Sequence, residues 1–187
     1  LPGSRRGEIA ALTPVFGQAA EALYDGDDAL RFVAVAAPGV AESTLRSLWP
    51  RHVPLTVLYA QDRYAHMRSC NFLLAASGTV SMESALLGVP TIVAYKLSAL
   101  TYFLARRFVK VKYVSLPNLI LDQPLFPEYL QSQANPAALT AQARDWLDSP
   151  AKLDGIRRAL APLREILGPA GAAGRAAEIV LETAGKR

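Results

Sequence analysis

The sequence predicts an α/β fold: a doubly wound, Rossmann-like parallel sheet followed by extra C-terminal helices. The first observation behind this prediction is that short, continuous apolar runs recur along the first half of the chain. The second is that stretches with helical periodicity separate these runs. Strands of a parallel sheet form unbroken apolar runs because helices cover both faces of the sheet. The alternation of strands and helices therefore favours a parallel sheet over an antiparallel one.

The first predicted element is an amphipathic helix over residues 7–24, where apolar side chains recur at helical spacing. Pro14 is expected in the first turns of this helix, where a missing N–H is tolerated. Apolar runs rich in Val, Leu, Ile and Phe predict four strands, at 30–37, 55–60, 71–76 and 91–96. The stretches between them predict helices at about 41–49, 62–69 and 80–88.

After the fourth predicted strand, the regular alternation of strands and helices ends. We expect a helix over 99–110 and an extended segment over 112–118 that runs into a loop. Residues 136–181 predict two or three helices, and glycine and proline residues separate a last helix over 175–185. These patterns predict a Rossmann-like domain over residues 1–135 and a helical segment over 136–187 that packs on it.

Composition limits the classes of function. The chain has 187 residues, 51% of them hydrophobic, which is enough for one full core. The single cysteine, Cys70, excludes an internal disulfide framework, and no Cys/His spacing is typical of a zinc site, so we expect neither metal nor cofactor. The net charge of +4 is consistent with an anionic ligand, nucleic acid or an acidic membrane surface, and does not choose among them. The start has neither a signal peptide nor an initiating Met, and we expect a part of a longer protein.

Two loops are candidates for ligand binding. Residues 2–8, "PGSRRGE", follow what we expect to be the end of a strand, and residues 76–83, "ASGTVSME", follow an apolar run. Each loop leads into a helix and contains glycine and hydroxyl side chains. In a doubly wound sheet, ligands bind at the carboxyl ends of the strands, where helix N–H groups are unpaired. A phosphate or diphosphate would fit, with Arg5 as a bidentate partner. The alternative is that the hydroxyls only cap helices. Neither loop has a Walker or complete dinucleotide-binding pattern.

Glu83 follows Thr79 by about one helical turn and is expected to face the same loop. A carboxylate there can accept hydrogen bonds from both hydroxyls of a ribose. Two other roles remain open for Glu83: a partner in a capping box, or a solvated charge on the helix surface.

The chain as a whole resembles the C-terminal half of the bacterial lipid-A-disaccharide synthases. The resemblance rests on the opening "LPGSRRGEI", on "ASGTVSMESALLGVPTIVAYKLSALTYFLARRFVKVKYVSLPNLI" and on the tail "LREILGPAGAAGRAAEIVL", in that order and spacing. It implies a GT-B glycosyltransferase, in which two Rossmann-like domains face each other across a cleft and the C-terminal one holds the nucleotide sugar. After "SLPNLI" the family usually continues with a Gly-Arg-Glu-type stretch, whereas residues 121–130 here are "LDQPLFPEYL".

The resemblance also implies a reaction. The family transfers 2,3-diacylglucosamine from its UDP donor to 2,3-diacylglucosamine 1-phosphate and releases UDP, without a required metal. The residues that match the family's donor site are Ser4, Arg5, Ser77, Gly78, Thr79, Glu83 and Asn118. For Asn118, three roles stay open: contact with the donor, orientation of a loop, or a turn after Pro117. The general base is expected in an N-terminal domain that this chain lacks, so we assign no catalytic base and expect negligible transfer by the isolated chain.

The resemblance further implies a cytoplasmic protein without a nucleic-acid partner. The segment from Tyr102 to Lys112 is rich in basic and aromatic residues, which suits an amphipathic surface resting on the anionic inner face of the inner membrane. A core-facing helix with a basic edge is the alternative. The C-terminal helices are expected to pack across the GT-B cleft, and packing onto a second subunit of a homo-oligomer is the alternative.

Two other functions remain open. One is another GT-B activity, such as a UDP-N-acetylglucosamine transferase or epimerase, which would share the Ser/Gly/Thr loop and Glu83. The other is a non-catalytic domain that binds a nucleotide or a partner protein.

Overall fold

The computed structural model describes residues 1–25, 27, 29–96 and 111–185. Within these ranges five strands form, and they are β1 Phe32–Val35, β2 Leu55–Leu58, β3 Leu73–Ala76, β4 Thr91–Tyr95 and β5 Glu128–Leu130. The helices are α1 Arg6–Tyr24, α2 Glu42–Ser47, α3 Arg63–Arg68, α4 Thr79–Leu86, α5 Leu116–Leu121, α6 Pro136–Leu147, α7 Pro150–Leu160, α8 Leu163–Leu167 and α9 Ala172–Ala184. The short 3₁₀ turns are Ala60–Asp62 and Gln131–Gln133.

All strand pairs in the described residues are parallel, which confirms the predicted α/β class. β1 and β2 pair in the first sheet. β3, β4 and β5 form the second sheet, in which β4 lies between the other two. Leu1 continues the second sheet on the other side of β3: its amino group donates to the carbonyl of Leu74 at 2.8 Å, and the N–H of Ala76 donates to the carbonyl of Leu1 at 2.9 Å. The residues that follow Leu1 and those that follow β3 therefore leave the sheet at the same edge.

Helices cover both faces of the second sheet, as the doubly wound prediction requires. Ile92 and Ala94 of β4 pack against α1 and α6 in a core that contains Leu12, Leu139 and Trp146. Val93, between them, points to the other face and packs with a cluster from α4, α7 and α8, which is Ala85, Leu160 and Leu163. This opposite orientation follows from the period of two along a strand. Burial of each such Leu side chain stabilises the fold by about 2 kcal/mol.

α1 departs from the prediction at one residue. Pro14 lies in the interior of the helix, not in its first turns. Proline has no N–H to donate to the carbonyl four residues earlier, that of Ala10. Ala10 is exposed, so water can satisfy that carbonyl, while the flanking residues keep α1 anchored in the core.

Most of the differences between the predicted and the observed elements lie in the second half of the chain. The segment 112–118 was expected to be extended, but α5 begins at Leu116 with Pro117 in its first turn, a position that suits proline. The short strand β5 is not apparent in the sequence pattern. After Asn135 the described chain forms four helices, more than the two or three expected, because Pro150, Pro162 and Gly168 interrupt the helical periodicity. The predicted helix over 99–110 lies outside the described residues.

Candidate functional site

The two predicted loops lie next to each other at the carboxyl edge of the second sheet. Residues 2–5 follow Leu1, and residues 77–78 follow β3, to which Leu1 is hydrogen-bonded. The N–H of Ser77 donates to the carbonyl of Ala94 at 3.1 Å, which ties the second loop to the end of β4. The first loop enters α1 and the second enters α4. The fold thus places Ser4 and Arg5 at the same edge as Ser77, Gly78 and Thr79.

The first loop is closed by a glutamate of α1. Glu8 Oε2 accepts hydrogen bonds from the backbone N–H groups of Ser4 at 3.3 Å and Arg5 at 3.4 Å. Glu8 Oε1 accepts a third from Arg5 Nη1 at 2.7 Å. This contact raises the pKa of Arg5, although the Arg5 side chain is 81% exposed. The Glu8 carboxylate, and not a hydroxyl, caps this helix, and the Ser4 hydroxyl is left exposed.

Gly3 fits this closed loop because it has no side chain. Its φ is 107°, a region that side chains rarely adopt. A Cβ at this position would lie 2.5 Å from Glu8 Oε2 and 2.9 Å from the Cβ of Glu8. Two features therefore require glycine at this position: the positive φ and the close approach of Glu8.

The second loop lacks an internal acceptor of this kind. The N-cap of α4 is Gly78, whose φ of 157° and ψ of −162° suit glycine. No side chain caps the helix at Gly78, and Ser81 Oγ donates to the Gly78 carbonyl at 2.7 Å. Among the described residues, the hydroxyls of Ser77 and Thr79 form no hydrogen bond. The capping alternative thus does not account for them, and their hydroxyls are free to meet a ligand.

Glu83 pairs with an arginine from another part of the chain. Arg63 Nη2 lies 2.8 Å from Glu83 Oε1, and the Glu83 side chain is 24% exposed. Glu83 is not part of a capping box, because the third residue of α4 is Ser81. Sequence reasoning missed Arg63. Its position shortly after β2, at the carboxyl edge of a parallel strand, was the available signal.

Asn118 is fully buried and bonded inside the protein. Its Oδ1 accepts from the N–H of Phe126 at 2.9 Å, and its Nδ2 donates to the Phe126 carbonyl at 2.8 Å and to Glu128 Oε1 at 2.9 Å. Glu128 also accepts from Val114 N–H at 2.7 Å and from the N–H and hydroxyl of Ser115 at 2.8 and 2.7 Å. This network joins α5 to β5 and favours the loop-orienting role among those proposed for Asn118. Glu128 was not predicted.

A cavity of about 490 Å³ lies between β1 and β3, and Leu1 and Pro2, at the start of the first loop, are part of its lining. Its lining is mostly apolar and includes Phe16, Phe32, Leu55 and Phe72. None of the predicted site residues lines it.

Neither a metal centre nor a membrane span is found in the described part of the chain. No three His, Cys, Asp or Glu side chains there are grouped so that they could hold a metal ion. No helix in the same ranges combines the length and apolar character needed to cross a bilayer.

Comparisons with known proteins point to one family. Residues 1–157 match the family model described as lipid-A-disaccharide synthetase. The lipid-A-disaccharide synthase of Geobacter sulfurreducens is 36% identical over 188 residues, which cover 100% of this chain and 49% of that protein. The corresponding enzyme of Rhodospirillum centenum is 39% identical over 100% of this chain and 47% of the relative. That of Neisseria meningitidis serogroup C is 38% identical over 99% and 49%. The chain thus spans about half the length of the curated relatives that it matches, their C-terminal half.

Proposed function

This chain belongs to the lipid-A-disaccharide synthetase family, and we propose that it is the UDP-donor-binding half of a GT-B glycosyltransferase. The proposed reaction transfers 2,3-diacylglucosamine from its UDP donor to 2,3-diacylglucosamine 1-phosphate. The observation that carries the proposal is the second loop, where Gly78, Ser77 and Thr79 present unpaired polar groups beside the first loop.

The diphosphate of the donor would lie against the second loop, at the N-terminus of α4. The N–H groups of the first turn of a helix and the hydroxyls of Ser77 and Thr79 are suitable donors to its oxygens. Arg5 is exposed, so its guanidinium can turn from Glu8 toward the diphosphate. These groups would stabilise the negative charge that builds up on UDP as its bond to the sugar breaks. The acceptor's hydroxyl proton goes to a base that we do not assign to this chain.

Glu83 would bind the ribose of the donor. It lies one turn into α4, behind Thr79, and remains partly exposed although Arg63 holds one of its oxygens. An ionised carboxylate can accept hydrogen bonds from a vicinal diol. Asn118 would act without touching the donor, by fixing the segment that leads into α5 through Phe126 and Glu128.

Isothermal titration of UDP into the chain, without added metal, tests this proposal. We expect saturable binding to the wild type, and binding weakened by about tenfold in Glu83→Ala, because hydrogen bonds to a charged group are lost. Glu182→Ala is the matched control. This substitution removes an exposed glutamate of α9, which is far from Glu83 in the sequence. The variant should bind UDP as the wild type does.

Two results would contradict the proposal, and a third would favour an alternative. A folded wild-type chain that does not bind UDP would mean that the two loops do not form a donor site in this chain. Equal binding of UDP by Glu83→Ala and wild type would remove Glu83 from the site. UDP that binds without a preference over other nucleoside diphosphates would favour the non-catalytic alternative.

Membrane association is a second, separable part of the proposal. The basic and aromatic residues from Tyr102 to Lys112 suit contact with anionic lipid, and the proposed substrates carry acyl chains. Flotation with liposomes tests it. Enrichment with anionic but not neutral vesicles is expected, and no enrichment at moderate salt would exclude this part.

A further inference from the structure

We propose that Arg63 is a positioning residue of the donor site, which holds the Glu83 carboxylate in the orientation that accepts hydrogen bonds from the ribose. This inference rests on the proposed function and adds to it a residue that belongs to neither loop.

The contact between the two side chains brings together distant parts of the fold. Arg63 opens α3, which follows β2 of the first sheet, whereas Glu83 lies on α4, which follows β3 of the second sheet. Arg63 Nη2 donates to Glu83 Oε1 at 2.8 Å. Within the described residues, no donor contacts Glu83 Oε2. One oxygen of the carboxylate is therefore fixed by the protein, and the other is left for a ligand.

The guanidinium group is itself held in place by its neighbour in the chain. Arg63 Nη2 also donates to the hydroxyl of Tyr64 at 2.6 Å, and the guanidinium carbon lies 4.6 Å from the centre of the Tyr64 ring. The Tyr64 hydroxyl, and then the charge of Glu83, raise the pKa of Arg63. An arginine restrained by two contacts with Tyr64 can hold a carboxylate in one orientation better than a mobile surface charge can.

Fold stability does not explain this arrangement well. The Arg63 side chain is 39% exposed, and ion pairs at such positions stabilise a fold little. An exposed pair of similar geometry elsewhere gives a direct comparison: Arg157 Nη1 lies 2.7 Å from Asp154 Oδ1 on α7, and the Arg157 side chain is also 39% exposed. We therefore expect both arginine variants to fold. Arg157 also donates to the carbonyl of Asn71 at 3.1 Å, and of the two arginines only Arg63 contacts a predicted ligand-binding residue.

A ligand series separates positioning from a purely structural role. Binding of UDP, of 2′,3′-dideoxyuridine diphosphate and of inorganic pyrophosphate is measured by titration calorimetry for the wild type and for Arg63→Ala, Arg63→Lys and Arg157→Ala. In Arg63→Ala we expect UDP affinity to fall about tenfold, with the affinities for the dideoxy analogue and pyrophosphate unchanged. Arg63→Lys should keep part of the preference for UDP over the dideoxy analogue. Arg157→Ala should keep all of this preference.

The outcomes distinguish this inference from the proposed function. If the folded wild type does not bind UDP, both fail. If it binds UDP with a preference over the dideoxy analogue and Arg63→Ala keeps that preference, only the role of Arg63 is overturned. An equal loss for all three ligands, together with a lower melting temperature than that of Arg157→Ala, would show a structural role and would also overturn the inference. If Arg63→Ala does not fold, the same criteria apply to Arg63→Lys.

Discussion

The two loops at the carboxyl edge of the second sheet look alike in sequence but differ in how their polar groups are used. In the first loop, Glu8 accepts hydrogen bonds from the backbone of Ser4 and Arg5 and from the Arg5 side chain. In the second, no side chain caps α4, and the space beside Gly78 is open, because a Cβ there would meet nothing within 4 Å.

This difference shows that a glycine and a hydroxyl before a helix do not identify a ligand site by themselves. The same residue types accompany a helix end that the protein satisfies internally and one that it leaves open. What distinguishes them is the residue at the third helical position, which is the acidic Glu8 in α1 and the uncharged Ser81 in α4. An anion can approach the second loop directly, whereas at the backbone of the first loop it must compete with Glu8.

The largest effect is expected from Gly3→Ala. The strain of a positive φ and the overlap with Glu8 should together lower the free energy of unfolding by about 4 kcal/mol. Urea unfolding followed by circular dichroism measures it. Gly7→Ala is the control: it lies in α1 with open space around its Cβ, and it should stabilise the protein by about 1 kcal/mol.

Gly78→Ala is expected to have a smaller effect. The backbone strain is similar in kind, but no atom lies within 4 Å of the new Cβ, so the loss should be about 2 kcal/mol. The same unfolding experiment measures it. A loss as large as that of Gly3→Ala would mean that the second loop is as tightly enclosed as the first, which would remove the contrast between them.

Glu8→Ala tests the internal cap directly. Loss of the carboxylate should lower the free energy of unfolding by about 1 kcal/mol, a usual cost for a lost N-cap. It also frees the Ser4 and Arg5 N–H groups and removes a negative charge, so pyrophosphate should bind more tightly in a calorimetric titration. Glu8→Gln, which keeps the size of the side chain without the charge, should lie between the two. Unchanged pyrophosphate affinity in both variants would indicate that the first loop does not meet the anion.

Ser77→Ala and Thr79→Ala should change stability least. Because their hydroxyls form no hydrogen bond in the described residues, the free energy of unfolding should change by less than about 0.5 kcal/mol. UDP binding should nevertheless weaken, since both hydroxyls are proposed to contact the diphosphate. Melting temperatures and calorimetry on the same samples measure the two effects. A marked loss of stability in either variant would return that hydroxyl to a structural role.

Local patterns were sufficient for much of the fold. Apolar runs and helical periodicity predicted α1 and the strands β1 to β4, because those elements bury one face or both faces and their side chains repeat accordingly. The positions of the two loops followed from the same order of elements. β5 has only three residues, too few for a pattern. α5 was missed although Pro117 at its start is a recognised helix signal.

The sequence by itself determined the parallel α/β class and the positions of the two loops at the carboxyl edge of the sheet, because both depend on patterns that are local along the chain. Only the tertiary structure decided how the polar groups are paired. Arg63 meets Glu83 across 20 positions of sequence, and Asn118 and Glu128 satisfy each other between α5 and β5. Such contacts depend on where distant elements come together. The closure of the first loop is the exception, because Glu8 contacts Ser4 and Arg5 within four positions of the chain, a spacing that the sequence contains.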